Sequence, residues 1–349
     1  MRAVRSRSEL EHTRTVPRRS RFRVWCDTLE HPLSPHLMSR LFAFLIAAAA
    51  AGATWLKQKD PEHMRLGEQA RKLEGGAYVR LPDGITHYEV GGPDSGARVL
   101  LVHGFSVPAY IWDSTFTALT NAGYRVARYD TYGRGWSDRP ETTYDFSLFD
   151  RQLSGVLDSL GWTGPVHLMG LSYGGPITST FVGRHPERVA SHVLVDPAAG
   201  SLREVPWYMA APVLGPFLWQ TLAVPGMADG QASDFVHPEH WPDWADKYRV
   251  QMQFKGFGRA LRSTILANRT VSLDSLYAST GRAGKPTLLI WGTEDRTVPI
   301  VNAEQVRKGI PQAEWRPIEN AGHLPHMEQA RVVDSLLLNW LQRHPEPNR

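Results

Sequence analysis

The chain has 349 residues, with 39 basic against 35 acidic side chains for a formal net charge of +4, and a single cysteine. One thiol excludes an internal disulfide framework and any zinc site built on paired cysteines. The length admits either two domains or one large α/β unit, and the mild positive charge must be located before it can imply a partner.

That charge sits at the amino terminus. Residues 1–40 hold nine Arg, no Lys and four acidic residues, so the basic excess belongs to a tail and gives the rest of the chain no reason to bind nucleic acid. Residues 41–56 then carry no charge and are mainly apolar, bounded by Arg40 and Lys57. Sixteen such residues fall short of the ~20 of a spanning helix. They suit a signal-peptide core or a short membrane anchor, with a buried helix of the folded part as the third option. Ala51-Gly52-Ala53 resembles a cleavage site, but Trp55 and Leu56 carry the apolar run past it. A basic flank favours a cytoplasmic end for the tail. Cys26 lies in that tail, and no cysteine follows the apolar run, which argues against a lipoprotein. Met38 offers an alternative start, giving the short basic lead Met38-Ser39-Arg40. The expectation is a membrane-anchored or exported protein, with residues 57–75 as a polar, helical connector.

Strands are expected at 78–81, 85–89, 99–102, 125–130 and 166–170, with helices at 111–122 and 147–160. The third strand runs into His103-Gly104-Phe105, and the fifth into Gly170-Leu171-Ser172-Tyr173-Gly174, which opens a helix over 173–185. A serine on a sharp strand-to-helix turn is held where a base can reach its proton, and flanking glycines permit the turn. A strand at 191–195 ends in Asp196-Pro197. Residues 200–284 break the alternation: they are rich in Trp and Pro, then read as one helical stretch from 246 to 268 with Arg259 and Arg262 on one face. These arginines suit a solvated face or contact with an acidic substrate. Strands at 287–291 and 314–318 follow, leading to Gly292-Thr293-Glu294-Asp295 and to Asn320-Ala321-Gly322-His323, with helices at 302–309 and 331–344. Strands alternating with helices imply a mostly parallel sheet covered on both faces.

The chemistry follows from that order. Ser172 is the nucleophile, Asp295 the acid just past a strand end, and His323 the base. Asp196 could replace Asp295 as the acid, but is better read as a hydrogen-bonded loop residue. Glu294 should point to solvent, His326 should be a pocket-wall or supporting residue, and His103 should pack near the loop after the third strand. No H-E-x-x-H, G-x-G-x-x-G or P-loop pattern occurs, so no metal or other cofactor is implied.

Two further segments carry a family likeness. Asp130-Thr131-Tyr132-Gly133-Arg134-Gly135-Trp136-Ser137 matches D-x-x-G-x-G-x-S, and Gly322-His323-Leu324-Pro325-His326-Met327-Glu328 matches G-H-x-P-x-x-E. With the Ser172 turn, the chain resembles the α/β-hydrolase fold serine hydrolases, esterase- and lipase-like, and within them the monoacylglycerol lipase-like and meta-cleavage product hydrolases. The likeness runs from residue 76 to 344 and is weak between 200 and 284. It implies a core of residues 76–199 and 285–349 with a cap at 200–284, the triad Ser172, Asp295 and His323, and an oxyanion hole from the backbone amides of Phe105 and Tyr173. It also implies a small-molecule carboxylic ester as substrate, with an apolar or lipid-like acyl group. Carbon–carbon bond hydrolysis and a non-catalytic ligand-binding role on the same scaffold are the alternatives.

Overall fold

All eight expected strands form, and they make one sheet in the order β1-β2-β4-β3-β5-β6-β7-β8. The computed structural model describes residues 34–201, 205–212 and 214–346. The strands are β1 (Ala77–Leu81), β2 (Gly84–Gly91), β3 (Arg98–Val102), β4 (Arg125–Tyr129), β5 (Val166–Leu171), β6 (Val189–Val195), β7 (Thr287–Gly292) and β8 (Glu314–Ile318). The β1–β2 and β2–β4 pairs are antiparallel, and the others are parallel.

Burial explains the order. Every residue of β5 and β7 is buried, as central strands of a two-sided parallel sheet require. β8 is half-exposed and carries Pro317, which lacks an N–H and is tolerated at a sheet edge. Successive strand residues alternate between faces: Val99, Leu101, Met169 and Leu171 pack with Leu119, Leu337 and Trp340, whereas Leu100, Val102 and Leu168 pack with Phe149, Leu153 and Phe181. The helices Asp113–Asn121 and Ala330–Arg343 therefore cover one face, and Phe146–Ser159 and Gly174–Arg184 the other. Because β3 and β5 to β8 run parallel, their carboxyl ends deliver the following loops to one edge of the sheet.

Two local expectations are corrected. The stretch 246–268 is two helices, Trp244–Met252 and Phe257–Asn268, broken at Gly256, whose φ of 95° no ordinary helix accommodates. The connector 57–75 is helical only at its ends. Pro61 cannot supply the N–H of a helix interior, and Met64 instead bridges to Phe254, with its N–H 2.8 Å from the Gln253 carbonyl. Glu62 then accepts from the Gly256 and Gly258 amides at 2.5 and 2.6 Å, placing a carboxylate at the start of the second helix.

The amino-terminal unit contains a helix, Pro35–Gln58. Its segment Pro35–Trp55 spans 21 residues with a mean hydropathy of 1.6, long and apolar enough to cross a membrane. This exceeds the sixteen-residue expectation because the helix starts at Pro35. The tail through residue 33, Cys26 included, lies outside the described residues.

Candidate active site

Ser172 stands between β5 and the helix Gly174–Arg184 with φ of 51°, in the left-handed region that costs a residue bearing a Cβ. The turn is pinned at both peptide groups. The Ser172 N–H donates to Val195 O, and its carbonyl accepts from Gly175 and Ala198 N–H, each at 2.9 Å. The neighbouring glycines are steric requirements: a Cβ on Gly170 would come within 2.5 Å of Gly174 O, and one on Gly174 within 2.4 Å of Val102 O. The Ser172 hydroxyl makes no hydrogen bond among the described residues. Contacts of this kind commonly tighten only in the Michaelis complex.

His323 and Asp295 meet directly. His323 Nδ1 lies 2.7 Å from Asp295 Oδ2, while Asp295 Oδ1 accepts from the Thr297 and Val298 amides at 2.8 Å. Both carboxylate oxygens are thereby fixed, and the imidazole is oriented with Nε2 left for chemistry. Burial alone would lower His323, but the hydrogen bond and charge of Asp295, with Asp234 nearby, hold it above the ordinary imidazole value. Glu294 is exposed, as expected.

Asp196 is the neighbour that sequence left in competition. It is wholly buried, has φ of 42°, and accepts from Gly292 N–H at 2.9 Å through Oδ1, with Oδ2 unpartnered among the described residues. Burial foremost, and then the adjacent Asp295, raise Asp196 well above the usual carboxylate range. It is the hydrogen-bonded loop residue, and Asp295 holds the histidine. Ligand atoms of Asp196, Asp295 and His323 fall within 4.8 Å of one another. Within that set His323 Nδ1 is already engaged by Asp295 Oδ2 and Asp196 Oδ1 by the Gly292 N–H, an arrangement that orients a base.

The loop after β3 faces Ser172 closely enough that a Cβ on Gly104 would stand 3.0 Å from Ser172 Cβ. Neither the Phe105 nor the Tyr173 amide donates to a protein acceptor among the described residues, so both remain available to a developing oxyanion. Three side chains fix this loop. Buried Arg134 donates Nε to Phe105 O at 2.7 Å, and Gln251 donates Nε2 to Ser106 O at 2.8 Å while accepting from Gly135 N–H at 2.9 Å. His103 accepts from Thr131 N–H at Nε2 and donates Nδ1–H to Gly104 O, both at 2.9 Å. Burial lowers its pKa to about 4, which keeps it neutral and structural. His326 is likewise a strut, buried against Trp112 and bonded to Ile111 O at 2.9 Å rather than lining the site.

The segment between β6 and β7 supplies the remaining wall. Ser172 and His323 line a cavity of about 300 Å³ whose apolar side comes from Phe105, Val107, Ile111, Leu171, Met227 and Leu324. Its polar rim includes Asp234 and Thr297; the Thr297 hydroxyl donates to Asp234 Oδ1 at 2.5 Å, and the His323 N–H donates to Asp234 O at 2.9 Å. Arg259 and Arg262 do not reach this cavity. Arg259 donates to the carbonyls of Pro140 and Arg139, and Arg262 to that of Met209. Trp207 is 76% exposed and forms neither pocket nor core. Sequence reading missed Asp234, Gln251 and the loop-holding use of Arg134. Arg134 lies inside a matched motif and was within reach, but Asp234 and Gln251 lie where no motif or periodicity signals a role.

A family model described as alpha/beta hydrolase fold matches residues 97–330. Among curated proteins, the chain is 31% identical over 281 residues to a 2-hydroxy-6-oxononadienedioate/2-hydroxy-6-oxononatrienedioate hydrolase of Paraburkholderia phymatum, covering 76% of this chain and 94% of the relative. Among solved structures, a thermophilic esterase from Thermogutta terrifontis superposes with a TM-score of 0.66 at 26% identity, covering 77% of this chain and 100% of the esterase. A meta-cleavage product hydrolase from Pseudomonas fluorescens superposes with a TM-score of 0.65 at 25% identity, covering 78% of this chain and 100% of that one.

Proposed function

The chain belongs to the alpha/beta hydrolase fold family, and on that premise we propose that it is a serine hydrolase cleaving a carboxylic ester with an apolar acyl group. The carrying observation is His323, bonded to Asp295 at 2.7 Å and lining one cavity with a serine held at φ 51°. In this reading His323 takes the Ser172 proton as the hydroxyl attacks the ester carbonyl, and Asp295 supports the resulting imidazolium. The tetrahedral oxyanion accepts from the Phe105 and Tyr173 amides. Collapse breaks the carbon–oxygen bond, His323 returns the proton to the leaving alcohol, and water activated by the same base then releases the acid from Ser172. The six apolar wall residues suit the acyl chain, and the β6–β7 segment acts as a cap that excludes water. The apolar helix Pro35–Trp55 supports a membrane-anchored or exported location, and with it a lipid-like ester.

A second reading has one observation in its favour, the 31% identity to a hydrolase named for dienedioates. Dioates carry carboxylates, and among the described residues no Lys or Arg lines the cavity, which weighs toward the ester. Labelling with a fluorophosphonate, combined with turnover of short- and long-chain aryl esters, tests the proposal. Wild type should label and turn over, and Ser172→Ala should lose labelling and about 10⁴-fold or more of kcat. Labelling without ester turnover would move carbon–carbon hydrolysis ahead; no labelling would favour a ligand-binding protein.

A further inference from the structure

Within the serine hydrolase reading, the cavity is electrostatically one-sided. Asp234 is the acidic side chain of its lining, which holds no Lys or Arg among the described residues. Asp234 is held in place twice, through Thr297 Oγ1 on Oδ1 at 2.5 Å and through its own carbonyl, which accepts the His323 N–H at 2.9 Å. Its Oδ2 accepts no hydrogen bond from the described residues and is not among the buried unpartnered atoms, so it keeps solvent access on a residue that lines the cavity. The position matters because of what His323 does. The base must return its proton to the leaving oxygen, so the alcohol portion of an ester lies on the histidine side while the acyl chain takes the apolar wall. Asp234 therefore stands beside the leaving group.

We infer that Asp234 is a specificity residue that selects esters whose alcohol portion carries positive charge or hydroxyl donors, and rejects those carrying a carboxylate. A carboxylate placed there would face the like charge of Asp234, with His323 the basic side chain of the described lining, whereas an ammonium would find an opposite charge and a hydroxyl an acceptor. The partly buried site weakens solvent screening relative to an open surface, which makes the effect measurable.

The test uses four esters of one acyl chain: choline, its neutral isostere 3,3-dimethylbutanol, glycerol, and an alcohol of similar size ending in a carboxylate. Burial raises Asp234 above the ordinary carboxylate value, so the comparison is made on the alkaline side, at about pH 8, where the wild-type kcat/KM should place the choline or glycerol ester above the neutral one, and the carboxylate ester about tenfold or more below it. The choline arm reads charge and the glycerol arm reads hydroxyl donors. Asp234→Asn should compress the spread between choline and carboxylate esters to within about threefold, whatever its effect on absolute rates. A flat wild-type ranking, or one led by the carboxylate ester, overturns the inference without reference to any variant. So does an unchanged spread in Asp234→Asn protein that still labels with fluorophosphonate. Absence of labelling in wild type would instead sink the hydrolase reading beneath it.

Discussion

Ser172, Asp295 and His323 stand on loops leaving parallel strands, whereas Asp234, Met227 and Gln251 stand on the helical insertion between β6 and β7. The first set is fixed by backbone: both peptide groups of Ser172 are bonded, and both oxygens of Asp295 are occupied. The second set is fixed largely through side chains, such as Gln251 on Ser106 O and Gly135 N–H, and Thr297 on Asp234. Reaction chemistry thus rests on geometry that the sheet enforces, while substrate choice rests on contacts that can change one residue at a time. The chain is similar to differently named hydrolases and esterases, as a fold that hosts many sites allows.

The sharpest way to break the comparison is to exchange the acids. Asp295→Asn should lower kcat by about 10⁴-fold, because the amide turns the imidazole toward the wrong tautomer. Asp196→Asn should cost less than about tenfold, since Asp196 bonds Gly292 and not His323. The reverse ranking would transfer the acid role to Asp196. A pH profile adds a second reading. Asp295 holds His323 above its ordinary pKa, so the active neutral base is lost as pH falls through that raised value, and the acidic limb of kcat/KM lies above the usual imidazole range. Removing the charge in Asp295→Asn should move the limb downward in whatever activity remains.

Gln251→Ala comes next in size. An oxyanion-hole donor is worth about 10²–10³ in turnover, and Gln251 acts on such a donor loop only through Ser106 O. A loss of about tenfold in kcat with little change in KM is expected, partly restored by Gln251→Asn only if the shorter amide still reaches. A fall confined to KM would show that the insertion shapes binding and leaves the oxyanion loop alone. Arg259→Ala should do least, with kcat/KM within about twofold for neutral and carboxylate-bearing substrates alike, because its guanidinium is spent on Pro140 and Arg139 carbonyls. Selective loss on the carboxylate-bearing substrate would revive a dioate site.

The strands and the elbow were legible because their signals are local. Apolar runs such as 166–169 and 287–291 reach the centre of a two-faced sheet, and glycine at 170 and 174 is demanded by contacts within a few residues or one strand away. The expected connector helix and the continuous helix over 246–268 failed for a related reason: Met64 pairs with Phe254, nearly two hundred residues on, and no local pattern announces that pairing. The sequence favoured Asp295 over Asp196, but both follow a buried strand, and only the fold shows which of them bonds His323.

What the sequence determined by itself was the alternating architecture and the candidate serine, aspartates and histidine at strand ends, because residue type, strand ends and turn glycines are properties of short segments. The tertiary structure decided which aspartate reaches His323 Nδ1, that Arg259 and Arg262 bind carbonyls away from the cavity, and that Asp234 comes to its rim. Those facts depend on how distant loops converge at the carboxyl edge of the sheet, and only the packing of the whole chain sets that distance.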